Sequence, residues 1–210
     1  NMIRSYIHRC QKDGVKIVMN CEVTPELIKE EKPDSVIIAT GSKTLILPIE
    51  GIDNPAIIHG SDLLDGKRAA GKKVLVVGGG MVGCETAAFL GEQEHDVTVI
   101  EFRDTVGADV IHEHRVYLMK DFEDYGIKEI TGAKVCKFYE DGVEYETADG
   151  VRHETRGYDS VILSMGFRNY NPLEEKIKDL VPETHVIGDA IRARRALDAT
   201  KEAYAVASKL

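Results

Sequence analysis

The clearest chemical pattern in the chain is a cluster of glycines, Gly78-Gly79-Gly80-Met81-Val82-Gly83, which follows directly on the apolar residues 74–77. In a strand–turn–helix context, Gly78 permits a tight turn and Gly83 allows the helix to pack closely on the strand. Gly80 leaves room for a ligand against the backbone, beside the unpaired N–H groups and the positive dipole end of the helix. The spacing therefore predicts that these six residues form a site for the diphosphate of a dinucleotide.

Glu101 lies at the position in the sequence where a dinucleotide site needs an acid to bind the ribose. Residues 97–100 form a second apolar run that ends at Glu101, 18 positions beyond Gly83. A carboxylate there accepts hydrogen bonds from the ribose hydroxyls of adenosine. A 2′-phosphate about 4 Å away would cost about 1–4 kcal/mol at dielectric constants of about 80 to 20, so NADH is favoured over NADPH. Arg103 follows two positions later and would soften this preference. The alternative is a glycine turn with an incidental surface glutamate.

Apolar periodicity and caps place these residues among alternating helices and strands. Helices are predicted over residues 2–12, 24–32, 81–91, 109–125 and 196–210, with Asp109 as the cap of the fourth. Strands are predicted over residues 15–19, 35–39, 73–77, 96–100, 127–130 and 160–164, and a hairpin over residues 133–147. This order predicts an α/β fold: a Rossmann-like domain with a parallel sheet and a β-hairpin crossover.

Composition and charge exclude several classes of protein. The chain has 27 basic and 36 acidic residues, a net charge of −9, which disfavours binding to nucleic acid or to anionic lipid. No apolar run approaches the roughly 20 residues that span a bilayer, and no signal-peptide pattern opens the chain. We therefore expect a cytoplasmic protein with no nucleic-acid or membrane partner.

Cysteine and histidine give no sign of a metal site. The cysteines are Cys10, Cys21, Cys84 and Cys136. Their spacing fits neither a C-x-x-C pair nor a zinc or iron–sulfur ligand set, so we expect four free structural thiols. His112 and His114 are two positions apart and would not share a helix face. No metal ligand is predicted.

Two further strand ends and a late Gly-Asp pair accompany the glycine motif. Residues 36–41 and 161–166 are apolar strands that close on Thr40-Gly41 and on Met165-Gly166, either as two related nucleotide folds or by chance. With Gly188-Asp189, these features resemble the pyridine nucleotide–disulfide oxidoreductase class. The resemblance implies an NAD(P)-binding domain over residues 66–168, inserted into an FAD-binding domain over residues 1–65 and 169–210. It also implies that Thr40, Gly41, Gly166, Gly188 and Asp189 contact cofactors.

A closer likeness is to the C-terminal portion of the 2,4-dienoyl-CoA reductase and enoate reductase group. Residues 186–190, followed by Arg192, Arg194 and Arg195, are similar to that group's C-terminal stretch. The likeness places Asp189 at the ribityl–phosphate region of FAD, where the alternative is a helix cap. It places Glu85 near the nicotinamide, where the alternative is a favourable acid at a helix N-terminus. The arginines alternatively form a solvated helix face.

The resemblance implies a reaction and its partners. NADH would pass hydride to FAD without a catalytic side chain, and electrons would reach an iron–sulfur cluster and an FMN barrel in upstream domains that reduce an activated carbon–carbon double bond. Only one glycine motif is present, so we expect a module with an incomplete FAD site that purifies colourless; a homo-oligomer is also allowed. The alternatives are an NADH oxidase, a ferredoxin-reductase-like flavoprotein, or a non-catalytic adenine-nucleotide-binding module.

Overall fold

The computed structural model describes residues 2–210 and divides into two compact units. One combines the residues up to Gly41 with Asn169–Leu210, and the other is Ser42–Arg168. The helices are α1 Met2–Lys12, α2 Pro25–Glu31, α3 Gly60–Leu64, α4 Met81–Glu92, α5 His112–Asp124, α6 Glu174–Ile177 and α7 Ala196–Ala207. The strands are β1 Ser35–Ile38, β2 Ser42–Thr44, β3 Ile58–His59, β4 Lys73–Val77, β5 Asp96–Ile100, β6 Lys128–Ile130, β7 Lys134–Tyr139, β8 Gly142–Glu146, β9 Arg152–Thr155, β10 Ser160–Leu163, β11 Phe167–Asn169 and β12 Glu183–Val186.

The larger unit is built on a five-stranded sheet in the order β3-β10-β4-β5-β6. All neighbouring strands in it are parallel. Residues 74–77 of the central strand β4 are fully buried, as expected of a parallel strand covered on both faces. The α/β class with a parallel sheet is therefore confirmed.

Different layers cover the two faces of this sheet. On one face, Val74 and Val76 pack in a cluster with Leu90 of α4 and Phe122 of α5. On the other face, the side chains of Leu75, Val77 and Ile100 pack against the three-stranded antiparallel sheet β7-β8-β9. The predicted hairpin is present as β7 and β8, whereas β9 was not predicted. The alternation of apolar residues toward two layers explains why every residue of β4 after Lys73 is apolar.

The smaller unit contains a parallel pair, β1 and β12. Ile28, Ile38, Ile177 and Val181 form its buried core. Thr24 caps α2 as predicted, since its hydroxyl accepts a hydrogen bond from the Leu27 N–H at 3.3 Å.

One strand prediction in this unit is wrong. Residues 15–19 form no strand, and their side chains are exposed. A β-strand needs a neighbour to pair with, and no described strand lies beside this segment. Their apolar character alone cannot replace that neighbour.

The boundaries of the two units differ from the predicted domain boundaries, and the fold alone does not show which cofactor each unit binds. Residues 42–65 lie in the larger unit, where β3 pairs with β10. The division into an NAD(P)-binding domain over residues 66–168 and an FAD-binding domain around it stays a prediction.

Candidate functional site

The glycine motif lies at the carboxyl edge of the parallel sheet, between β4 and α4. Gly78 has a φ of +105°, and its N–H donates to the Ile100 carbonyl at 2.9 Å. A methyl group added at Gly83 would lie 1.8 Å from the Gly78 carbonyl oxygen. The turn and the close helix–strand approach therefore require glycine at both positions. The start of α4 is thereby held directly above the end of β4.

Glu101 reaches back to this glycine motif. Its Oε2 accepts a hydrogen bond from the Gly79 N–H at 2.6 Å, and its Oε1 accepts one from the Arg103 N–H at 2.9 Å. A carboxylate offers about four lone-pair sites, so both oxygens can still accept from a hydroxyl. The Arg103 side chain is exposed and forms no ion pair or hydrogen bond within residues 2–210. The geometry therefore presents a fixed acceptor beside the glycines.

Asp109 contacts the same motif, which was not predicted. Its Oδ1 accepts a hydrogen bond from the Met81 N–H at 3.0 Å, at the first turn of α4. The prediction that Asp109 caps the following helix is wrong, because α5 begins at His112 with Ile111 at its N-cap and no side-chain cap. The carboxylate instead satisfies a donor 28 positions earlier in the chain. No local sequence signal indicates so distant a partner.

Three donors at the start of α4 are not used by the protein. Within the described chain, the N–H groups of Gly80, Val82 and Gly83 have no hydrogen-bond partner. Unpaired amides at a helix N-terminus attract anions, and the helix dipole adds to this attraction. This edge of the sheet therefore presents unpaired amide donors beside the carboxylate of Glu101.

Cys84 and Glu85 are neighbours in α4, and the first is buried whereas the second is exposed. The Cys84 thiol is buried and donates to the Gly79 carbonyl oxygen at 3.2 Å. Burial raises the pKa of this thiol to about 12, so it is protonated and unreactive at neutral pH. Glu85 is exposed, and it lies on the second turn of α4 rather than the first, since α4 begins at Met81 and has no acid in its first turn. Its predicted place near a nicotinamide stays a prediction.

Thr40 and Gly41, which follow β1 in the smaller unit, each form a hydrogen bond with the backbone of Tyr170. The Thr40 hydroxyl donates to the Tyr170 carbonyl oxygen. The Tyr170 N–H donates to the Gly41 carbonyl oxygen at 3.0 Å. These bonds join the ends of β1 and of the segment that leads back into this unit. Gly166 belongs to the larger unit, where its carbonyl accepts from the Leu45 N–H at 2.9 Å.

Gly188 and Asp189 are held by residues that follow them. The Gly188 N–H donates to Glu202 Oε2 at 2.7 Å, and the Arg194 N–H donates to Asp189 Oδ1 at 3.0 Å. The Arg194 side chain and the Gly188 N–H lower the pKa of the Glu202 carboxyl. Arg194 thus forms a specific ion pair rather than only a solvated face.

The described chain offers neither a metal cluster nor a membrane span. In residues 2–210, no three His, Cys, Asp or Glu side chains are grouped so that they could hold a metal ion. Nor does any described helix have the length and apolar character needed to cross a membrane. The four cysteines are free, as predicted.

Comparisons with known proteins agree with this geometry. A family model described as "Pyridine nucleotide-disulphide oxidoreductase" matches residues 3–184. This chain is a member of that family. It is 30% identical to the cinnamate reductase of Clostridium sporogenes over 94% of its length and 30% of that protein's. It is 32% identical to the NADH oxidase of Thermoanaerobacter brockii over 92% of its length and 30% of that protein's.

A solved structure gives the same result. The chain superposes over its full length on 32% of a 2-naphthoyl-CoA reductase in complex with 2-naphthoyl-CoA, with a TM-score of 0.90 and 31% identity. The predicted resemblance to the enoate reductase group is therefore confirmed. The chain spans about a third of the length of the curated relatives it matches.

Proposed function

We propose that this chain binds NADH at the glycine motif and aligns it for hydride transfer to a flavin. The observation that carries the proposal is the position of Glu101. Its carboxylate is bonded to the Gly79 N–H at 2.6 Å, so the ribose acceptor and the diphosphate donors are parts of one rigid edge. Family members named as reductases and oxidases support the same class of reaction.

The residues fit the dinucleotide on observable grounds. The Gly80 and Val82 amides have no partner in the described chain and lie at the positive end of α4. A side chain larger than hydrogen at Gly80 would project toward the Asp109 carboxylate, 3.3 Å from its Oδ2. When bound, NADH supplies a hydride and an oxidised flavin accepts it. The protein's part is to hold the diphosphate, orient the ribose and position the ring, and no acid or base is needed.

Glu101 also supports a preference for NADH over NADPH. A 2′-phosphate at this ribose would face a carboxylate that two backbone amides hold in place. At about 4 Å this repulsion costs about 1–4 kcal/mol at dielectric constants of about 80 to 20. Arg103 is free to approach the phosphate and would recover part of this cost.

The flavin contact belongs to the smaller unit. We place the ribityl–phosphate region of FAD at Gly188 and Asp189, by analogy with the family. The Gly188 N–H already donates to the Glu202 carboxylate, so a phosphate would have to displace that carboxylate and would be repelled by its charge. We therefore propose that this chain alone holds FAD weakly, and that purified protein lacks flavin absorbance.

The remaining partners lie in a longer parent protein. We propose an FMN barrel and an iron–sulfur domain that reduce an activated carbon–carbon double bond, because two relatives are named for the reduction of cinnamate and of 2-naphthoyl-CoA. The relative named NADH oxidase favours a second candidate, in which the acceptor is oxygen. Oxygen uptake by the parent protein, measured with and without an enoate, distinguishes the two.

Calorimetric titration tests the cofactor proposal. Wild-type chain should bind NADH more tightly than NADPH, and Glu101→Ala should weaken NADH binding and reduce the difference. Arg103→Ala should weaken NADPH alone. Glu129→Ala is the matched control, because Glu129 is an exposed acid on β6, the strand next to β5. A folded wild-type chain that binds neither nucleotide would contradict the proposal.

A further inference from the structure

The Asp109 carboxylate occupies the position at the start of α4 where an anion is expected. Its Oδ1 accepts from the Met81 N–H at 3.0 Å. Both of its oxygens also approach Gly80, since a methyl group added there would lie 3.3 Å from Oδ2 and 3.5 Å from Oδ1. A negative charge therefore lies beside both the Met81 N–H and Gly80.

The surrounding segment holds Asp109 in this position. The Gly107 N–H donates to the Gly79 carbonyl oxygen at 2.7 Å, and Val106 is buried against Gly79. Asp109 itself is exposed, so its side chain can turn into solvent without opening the core. The backbone is therefore fixed while the carboxylate can leave.

A bound diphosphate and this carboxylate would compete for the same donor. At about 4 Å in water, one pair of like charges lowers affinity on the order of fivefold, and a diphosphate carries two charges. Glu101 has a different relation to the ligand, since its expected partners are uncharged hydroxyls. Of the two carboxylates on the motif, only Asp109 opposes the phosphate part of the ligand.

We infer that Asp109 is an internal competitor for the diphosphate, which limits nucleotide affinity and must be displaced when the nucleotide binds. This inference rests on the proposed function, because it concerns the same site. In the absence of nucleotide the carboxylate caps α4, and in its presence the phosphate oxygens take over the Met81 amide. The hydrogen bond between Asp109 and Met81 thus stabilises the chain without nucleotide and lowers its affinity for the nucleotide.

Asp109→Asn is the direct test, because asparagine keeps an oxygen that can cap α4 but removes the charge. Binding of NADH, ADP and adenosine to the 210-residue chain would be measured by calorimetry. We expect the Asp109→Asn variant to bind NADH and ADP about fivefold to tenfold more tightly than the wild type, with adenosine affinity unchanged. Asp104→Asn is the matched control, since Asp104 is an exposed acid on the same segment without a hydrogen bond in the described chain.

Asp109→Ala separates the capping role from the charge. Loss of the cap should lower the Tm of the ligand-free chain by about 2–4 °C, whereas the rise in Tm caused by NADH should become larger. A merely structural residue would lower the first quantity without raising the second.

The outcomes separate this inference from the proposed function. If wild-type chain binds NADH and Asp109→Asn binds it no more tightly, the inference is overturned and the proposed function stands. Equal tightening by Asp104→Asn, or tightening toward adenosine, also overturns it. If neither wild type nor Asp109→Asn binds NADH, both fail.

Discussion

Glu101→Gln is the substitution that tests the ribose acceptor most finely. The carboxylate accepts from two backbone amides, at 2.6 Å from Gly79 and at 2.9 Å from Arg103. Glutamine has the same shape but only one acceptor oxygen, so its NH₂ group would face one of these two N–H donors. One hydrogen bond is lost, and the other loses its charge.

The expected loss of stability follows from these two bonds. Hydrogen bonds to a charged group contribute about 1.5–3 kcal/mol, and neutral ones about 0.5–1.5 kcal/mol. We therefore expect the free energy of unfolding to fall by about 2 kcal/mol, and the Tm by about 4–8 °C for a chain of this size. The preference for NADH over NADPH should fall by at least about fivefold, because the repulsion of the 2′-phosphate is removed.

Urea unfolding and nucleotide titration measure the two effects on one sample. Glu129→Gln on the adjacent strand β6 is the control, because Glu129 forms no side-chain hydrogen bond within residues 2–210. If Glu101→Gln matched the wild type in both stability and nucleotide preference, the assignment of Glu101 as a fixed ribose acceptor would be refuted.

Three other substitutions or reactions probe separate parts of the structure. Gly83→Ala should lower the free energy of unfolding, measured in urea, by about 3 kcal/mol or more, because the added methyl group would lie 1.8 Å from the Gly78 carbonyl oxygen. A loss of only ~1 kcal/mol, the average for substitutions in general, would contradict this packing. Glu202→Gln should lower the Tm at pH 7 but not well below pH 4.5, the ordinary pKa of a glutamate. The folded state lowers the pKa of Glu202, so the stability that its carboxylate contributes is present above the ordinary pKa and is lost as the pH falls through the lowered one. A Tm deficit that did not shrink in acid would count against the Arg194–Glu202 pair. A thiol reagent at pH 7 should modify exposed Cys21 and spare Cys84, whose pKa is raised to about 12; peptide mass spectrometry showing equal rates would exclude a buried thiol at Cys84.

The sequence predicts the local backbone around the glycine motif well. Gly78 and Gly83 have roles set by chain geometry within a few residues, and the motif specifies them without knowledge of the fold. The hairpin of β7 and β8 is similarly local, because Asp141-Gly142 is a turn signal between alternating residues. Glu101 follows from its fixed separation along a strand–helix–strand unit.

The errors concern features that depend on neighbours in the folded chain rather than on adjacent residues. Residues 15–19 have strand-like composition but no neighbouring strand among the described residues, so they stay irregular. Asp109 has the character of a helix cap, and it does cap a helix, but α4 rather than the nearby α5. Only the folded loop brings its carboxylate to Met81. Such pairings depend on tertiary packing, which a pattern of adjacent residues does not contain.

The central claim is that the first amides of α4 hold the diphosphate of a dinucleotide. Amide chemical shifts of the ¹⁵N-labelled chain during titration with NADH test it directly. We predict that the largest saturable shifts occur at the Gly80, Met81 and Val82 amides, with smaller ones at Gly79 beside Glu101. Saturable binding that left these four amides unchanged would place the nucleotide elsewhere and contradict the account.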